Sequence, residues 1–273
     1  MAECNHDCEH CGVADSCGSK IEKAKLNERS KIKKIIGVLS GKGGVGKSYI
    51  TSTLAVYLNR QGYKVGILDA DITGPSIPKA FGIKDKAYGE DNLIYPLVSN
   101  GGIKLISANC LLENDSDPIV WRGPLLGGLI KQFYEDVLWE ELDYLLIDMP
   151  PGTGDVALTV FQQLPVDDLI IVTSPQDLVS LIVTKAIKMA NMMNIKVLGV
   201  IENMSYLVCP DCGKKINLFG ESHLEEFAKE MNFDILAKLP LVSENTVLVD
   251  NGKVEQVVLN EILPAVDAIK KEK

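Results

Sequence analysis

The sequence predicts a doubly wound α/β fold, a mostly parallel sheet with helices on both faces. Three observations predict it. Near-continuous Ile, Leu and Val runs recur along the chain, as strands buried on both faces require. Helical patterns separate those runs, the alternation expected of parallel strands joined by crossover helices. The first run, Ile35-Ile36-Gly37-Val38-Leu39, leads directly into Gly41-Lys42-Gly43-Gly44-Val45-Gly46-Lys47-Ser48, which fits the phosphate-binding pattern G-x-x-x-x-G-K-[ST].

The strand runs are 34–40, 64–70, 103–108, 143–148, 168–174, 196–202 and 234–239. The helical patterns between them include 47–61, 124–138, 155–163, 178–193 and 221–231. Residues 1–20 are polar and cysteine-rich, and 21–33 are charged and read as a linker. The expected organisation is therefore a tail and linker over 1–33 and one P-loop domain over 34–273. The stretch 254–270 is amphipathic in places, with Pro264 interrupting it and acidic residues mixed in. It is expected to dock on the domain rather than on a membrane.

A chain of 273 residues is long enough for one large domain with a sizeable core. With 24% charged and 46% apolar residues it reads as soluble. A net charge of −9 does not favour nonspecific binding to nucleic acid or anionic membrane. No apolar run reaches the ~18 residues of a membrane span, and the first twenty residues lack a signal-peptide core. A cytoplasmic protein without membrane or nucleic-acid partners is expected.

The glycine loop carries the clearest chemistry. Its glycines let backbone N–H groups converge on an anion. Lys47 would reach the outer phosphates of a nucleotide and Ser48 a magnesium ion. Lys42 is not required by the pattern, and a cation there is placed to face a neighbouring subunit. Ligands of open α/β sheets lie beyond the C-terminal strand ends. Two strands end there in carboxylates: Asp69-Ala70-Asp71 after one, and Asp148-Met149-Pro150-Pro151-Gly152-Thr153-Gly154-Asp155 after another. Asp148, following an apolar run, suits the Walker-B role of holding magnesium. The alternative for Asp71 and Asp148 is a helix cap, a role open to Asp155 as well.

Of seven cysteines, Cys110 follows an apolar run and reads as core. The others cluster: Cys4, Cys8, Cys11 and Cys17 in the tail, and Cys209-Pro210-Asp211-Cys212-Gly213. In a reducing compartment such clusters bind metal more often than they form disulfides. Two thiolates in C-x-x-C are half of a four-ligand set. A symmetric dimer would bring the same pair together twice. A zinc knuckle and a redox dithiol are the rival readings.

These residues resemble a known group. Gly41–Ser48 is similar to the "deviant" Walker A motif, K-G-G-x-G-K-[ST], of MinD- and ParA-type ATPases, nitrogenase iron protein and Mrp/ApbC-type iron–sulfur carriers. Four segments resemble the Mrp-type carriers most: Asp69 to Ser76, Trp121-Arg122-Gly123-Pro124, Asp148 to Asp155, and Glu202-Asn203-Met204-Ser205. The resemblance spans about residues 34–270. It implies a slow ATPase that forms a nucleotide-dependent homodimer, with Lys42 reaching the phosphates bound by the opposite subunit. It implies that Asp71 positions the attacking water, that Asp69 supports the magnesium shell and that Asn203 contacts adenine. It further implies a labile [4Fe–4S] cluster held between subunits by Cys209 and Cys212 and delivered to apo iron–sulfur proteins.

Cys8, Cys11 and Cys17 resemble the N-terminal cluster site of the cytosolic scaffold branch of this family. Cys4 lies closer to Cys8 than that branch places its first cysteine. An iron–sulfur cluster, a zinc site using His6 or His10, and a tail without native metal stay open. Two other functions are weighed. A MinD- or ParA-type spatial organiser would not need the Cys209/Cys212 pair. An electron donor like nitrogenase iron protein would use cluster cysteines far apart in sequence.

Overall fold

The computed structural model describes residues 23–71, 76–111, 123–152, 154–175 and 179–271. Strand and helix alternate from the start: β1 (Lys31–Ser40), α1 (Lys47–Arg60), β2 (Val65–Asp69) and α2 (Ile77–Ala80). Four short strands follow, β3 (Tyr88–Glu90), β4 (Leu93–Tyr95), β5 (Leu97–Val98) and β6 (Lys104–Ile106). Then come α3 (Gly123–Glu135), β7 (Glu141–Asp148), α4 (Asp155–Gln163), β8 (Asp168–Thr173) and α5 (Val179–Met192). The chain continues through β9 (Lys196–Val208), β10 (Lys215–Ile216), α6 (Leu224–Met231), β11 (Ile235–Pro240), α7 (Ser243–Asp250) and α8 (Leu263–Lys270).

The main sheet runs β10-β9-β8-β1-β7-β2-β6-β5, with β11 also on β9. The β1–β7, β1–β8, β2–β7, β2–β6, β8–β9 and β9–β11 pairs are parallel. Only the short edges, β5 on β6 and β10 on β9, are antiparallel. One helix group packs α1 across β1, β2 and β7 and against α2 and α8; in the other, α3 meets α4, and α5 covers β8 and β9 beside α6. This is the doubly wound arrangement expected. All seven expected strands form, because long Ile/Leu/Val runs find burial on both faces only inside such a sheet.

The differences lie where segments are short or charged. Strands of two or three residues leave no period to read, so β3, β4, β5 and β10 were not expected. The 21–33 segment, read as a linker, is held to the domain from residue 23 onward. Lys23 donates to the carbonyls of Phe161 (2.7 Å) and Leu164 (2.8 Å) at the end of α4. Asn27 donates to those of Glu135 (2.8 Å) and Val137 (2.9 Å) at the end of α3. Helix ends expose unpaired carbonyls, so polar side chains here act as clasps. β1 begins at Lys31, opposite Glu141 of β7, rather than at 34. Pro264 opens α8 instead of breaking it, since a proline in the first turn costs no helical hydrogen bond. Val254, Val257, Ile262, Val266 and Ile269 are buried, so this stretch docks on the domain.

The parallel register does one thing for function: it aligns strand ends. Asp69 of β2 pairs with Asp148 of β7, and Val38 of β1 pairs with the same Asp148. Beneath them Trp139 is 0% exposed. Its indole N–H donates to the Phe133 carbonyl at 3.1 Å, and its ring closes on Gly66 of β2. Trp139→Ala should cost about 3–5 kcal/mol of unfolding free energy. Urea unfolding followed by circular dichroism measures it; a loss under ~1 kcal/mol would show that this layer does not support β2.

Candidate functional site

The loop from Gly41 to Gly46 joins the end of β1 to the start of α1. Gly44 (φ 81°) and Gly46 (φ 83°) are left-handed, which glycine adopts without strain. Gly46 holds the cap position of α1, with no side chain capping the helix and no acid in its first turn. The first N–H groups of α1 are thus presented to an anion. A cavity of about 400 Å³ opens there, lined among others by Gly43, Gly44, Lys47, Ser48, Asp71 and Lys79. Gly41 and Lys42 are half-buried at the start of the loop, where Ser40 Oγ donates to the Lys42 carbonyl at 3.0 Å.

Behind the cavity the carboxylates converge. Asp148 is 0% exposed. Its Oδ2 accepts from Ser48 Oγ at 2.6 Å and lies 2.8 Å from Lys47 Nζ, and its Oδ1 accepts from Thr51 Oγ1 at 2.8 Å. Lys47 Nζ also lies 3.4 Å from Asp71 Oδ2. Asp71, half-buried, lines the cavity, whereas buried Asp69 stands behind it. Asp69 accepts from the Asp71 N–H (3.1 Å) and from Ser107 Oγ (3.0 Å). Burial, and next the Asp148 charge, push the Asp69 carboxyl up to about 8, against the pull of Lys47 and Ser107. Neither Asp71 nor Asp148 caps a helix here: each ends or follows a strand. Asp155 is the first residue of α4, and Gly154 occupies the cap. Thr51 and Ser107 were missed in the sequence. Thr51 could have been found, lying one helical turn beyond Lys47 and Ser48 on the face that meets Asp148. Ser107 becomes adjacent only because β6 pairs with β2.

Asn203 is 4% exposed, and its Nδ2 donates to the Val45 carbonyl at 2.9 Å. The side chain expected at adenine therefore holds the loop from behind. A Cβ on Gly46 would collide with that amide, a second reason for glycine at this position. Glu202, also buried, accepts from the hydroxyls of Ser205 and Ser222.

The cysteine pair stands at the tip of a hairpin rather than in a loop after residue 202, because β9 runs on to Val208 and pairs there with β10. The turn closes through Cys209 N–H to the Lys214 carbonyl and Gly213 N–H to the Cys209 carbonyl, both 2.9 Å. Gly213 has φ 71°. The Cys212 N–H, the Asp211 N–H and the Cys212 thiol hold the Cys209 thiol below its ordinary range, which favours the metal-binding thiolate. Cys209 is half-buried and Cys212 exposed. Val208, Ile216, Leu218 and Phe219 around them are 41–47% exposed. Among the described residues, no group of three or more His, Cys, Asp or Glu side chains is placed to hold a metal ion. Cys110 is in the core, as expected. Cys4, Cys8, Cys11, Cys17, His6, His10, Trp121 and Arg122 lie outside the described residues, and no described helix is long and apolar enough to cross a membrane.

The raised Asp69 carboxyl has a consequence for stability. Its folded pKa exceeds the unfolded value, so the unfolded chain gives up this proton first and stability falls as pH rises from about 4 to about 8. Asn cannot titrate. In nucleotide-free protein the melting temperature of Asp69→Asn relative to the unsubstituted protein should climb across that window and level off above it. A pH-independent difference would contradict the raised carboxyl.

Comparison with known proteins follows the same lines. The family described as "ParA: NUBPL iron-transfer P-loop NTPase" matches residues 31–271. An iron-sulfur cluster carrier protein of Clostridium perfringens is 46% identical over 268 residues, covering 92% of this chain and 94% of the relative. One from Methanocaldococcus jannaschii is 49% identical over 249 residues, covering 88% and 86%. A solved nucleotide-binding protein of Archaeoglobus fulgidus, in complex with ADP, superposes with a TM-score of 0.75 at 45% identity, covering 82% of this chain and 88% of that one. The cell division ATPase MinD of Pyrococcus furiosus shares the fold, with a TM-score of 0.65 at 20% identity over 87% of this chain and 98% of its own. With its glycine loop, its paired strand-end carboxylates and a family match over nearly its whole length, the chain belongs to the NUBPL-type iron-transfer P-loop NTPases.

Proposed function

We propose that this protein is an ATP-hydrolysing iron–sulfur cluster carrier, working as a homodimer that holds a labile [4Fe–4S] cluster as cargo and passes it to apo iron–sulfur proteins. The observation that carries this reading is the Cys209/Cys212 hairpin on a P-loop NTPase. Its two thiols lie at an exposed tip, with Cys209 biased toward thiolate. They are half of the four-thiolate set that such a cluster takes. An isologous contact between two copies supplies the other half, and the apolar side chains around the tip suit burial in that contact. Carriers of this name among the relatives agree with it. A spatial-organisation ATPase has no use for the hairpin.

For the nucleotide, the loop N–H groups and the start of α1 would bind the phosphates. Lys47 would exchange its carboxylate partners for the outer phosphates. Ser48 and Asp148 would hold magnesium, with Asp69 behind them; the ion when bound neutralises phosphate charge. Asp71, at the cavity wall, would orient the attacking water. Lys42 would act across the dimer on the partner's phosphates, and Asn203 would lie near adenine while holding the loop. A second site in the tail, formed by Cys8, Cys11 and Cys17 with Cys4 or a histidine, would take iron–sulfur rather than zinc. Counting iron, zinc and sulfide with and without residues 1–20 tests that.

Anaerobic reconstitution with iron and sulfide should give a brown dimer with a [4Fe–4S] absorption and Mössbauer signature. Cys209→Ala or Cys212→Ala should abolish the bridging cluster; its retention would overturn the assignment. Lys47→Ala should lose productive nucleotide binding. Lys42→Ala should keep much of that binding but slow hydrolysis, by up to the ~10³–10⁵ that a well-placed cation in trans contributes. An unchanged steady-state rate would remove Lys42 from the reaction.

A further inference from the structure

The phosphate loop and the cysteine hairpin are joined by one strand. β9 spans thirteen residues, Lys196–Val208, and touches both. Near its middle Asn203 donates to the Val45 carbonyl, and the Met204 methyl lies 3.8 Å from where a Cβ on Gly46 would be. Cys209 follows the last residue of β9, about 20 Å from Asn203 at the rise of an extended strand.

β9 is anchored unevenly. Up to Glu202 it pairs with β8, where Thr173 faces Glu202. The Glu202 carboxylate is clamped by Ser205 and Ser222. Beyond that point β8 no longer pairs with it. β11 continues beside it to Tyr206 with two register shifts, and β10 takes Leu207 and Val208. At the change of partner sits Met204, with φ 57°. A left-handed methionine inside a strand is strained by roughly 1–3 kcal/mol, and strain of this kind marks a place where the backbone is held by its surroundings. Here the surroundings are the phosphate loop on one side and the Glu202 clamp on the other.

We infer that Asn203 and Met204 are positioning residues that tie the thiol pair to the phosphate loop: movement of the Val45–Gly46 backbone on nucleotide binding is carried along β9 to Cys209 and Cys212. The inference rests on the nucleotide and cluster reading above and adds the route between the two sites. It leaves the bonding of the cluster untouched and changes only how the thiols are presented.

Cluster-free full-length protein tests it. N-ethylmaleimide alkylation of the peptide bearing Cys209 and Cys212 is timed by mass spectrometry, without nucleotide and with saturating MgADP or MgATP. Occupancy is measured separately by calorimetry. Bound nucleotide should change the alkylation rate by about fivefold or more, the lower end of ordinary site-to-site coupling. Met204→Gly accepts the same backbone angle and removes the side chain whose methyl faces Gly46 of the loop. It should bind nucleotide normally yet show little change in rate. Asn203→Ala, expected to bind nucleotide more weakly and so compared only at full occupancy, should also show little change in alkylation rate; if that variant fails to fold, Met204→Gly decides. A rate in the unsubstituted protein that ignores bound nucleotide, or a full response in Met204→Gly, would overturn the inference. A parallel reconstitution separates the two ideas: a dimer that assembles the bridging cluster while its thiols ignore nucleotide retires the route alone.

Discussion

The Asp148 carboxylate is the constraint on which the rest of the site depends. It is fully buried at the end of β7 and reached by three side chains of one helix, Lys47, Ser48 and Thr51. Removing one partner of a buried charge pair costs about 3–5 kcal/mol, because the other is left uncompensated. The start of α1 is therefore tied to the end of β7 at the base of the loop that precedes the helix. The parallel register places Asp69 beside Asp148. Burial first, and then the neighbouring Asp148 charge, disfavour ionised Asp69, so its proton is held. The Lys47 charge and the Ser107 hydrogen bond oppose that shift in part.

The two halves of the site have opposite physical characters. The nucleotide end is backed by buried carboxylates and built from elements that also make the core. The cysteine end is an exposed hairpin tip at the β10 edge of the sheet, with partly exposed apolar side chains around it. A buried, charged backing suits electrostatic positioning of phosphates. An exposed end suits a cargo that must be received, covered and handed on. Among the described residues, the Cys209 and Cys212 thiols have no further ligands gathered beside them. β9 is the element common to both ends, and its strained Met204 lies between them.

Much of the fold was legible in the residues. Every long Ile/Leu/Val run became a strand, because such runs have no stable place except between two helix layers. The short strands and the 23–30 segment were not legible. A two-residue strand such as β10 exists only because β9 lies alongside, and Lys23 looks like solvent-exposed charge until the end of α4 is in place. The motif spacing named Lys47, Ser48, Asp71 and Asp148, and the structure gathers the first three around one cavity with Asp148 behind it. It could not name Ser107, whose hydroxyl meets Asp69 only through strand order, or the hold of Asn203 on Val45 across 158 positions of chain.

By itself the sequence determined what is local: strand, glycine loop and helix in succession, carboxylates at strand ends, and a C-x-x-C turn. These follow from periodicity, backbone freedom and ligand spacing, which act over a few residues. The tertiary structure alone decided which carboxyl keeps its proton, which asparagine steadies the loop, and that one strand joins the loop to the thiols. Burial, register and strand order are properties of the whole sheet, and they arise only when distant segments have come together.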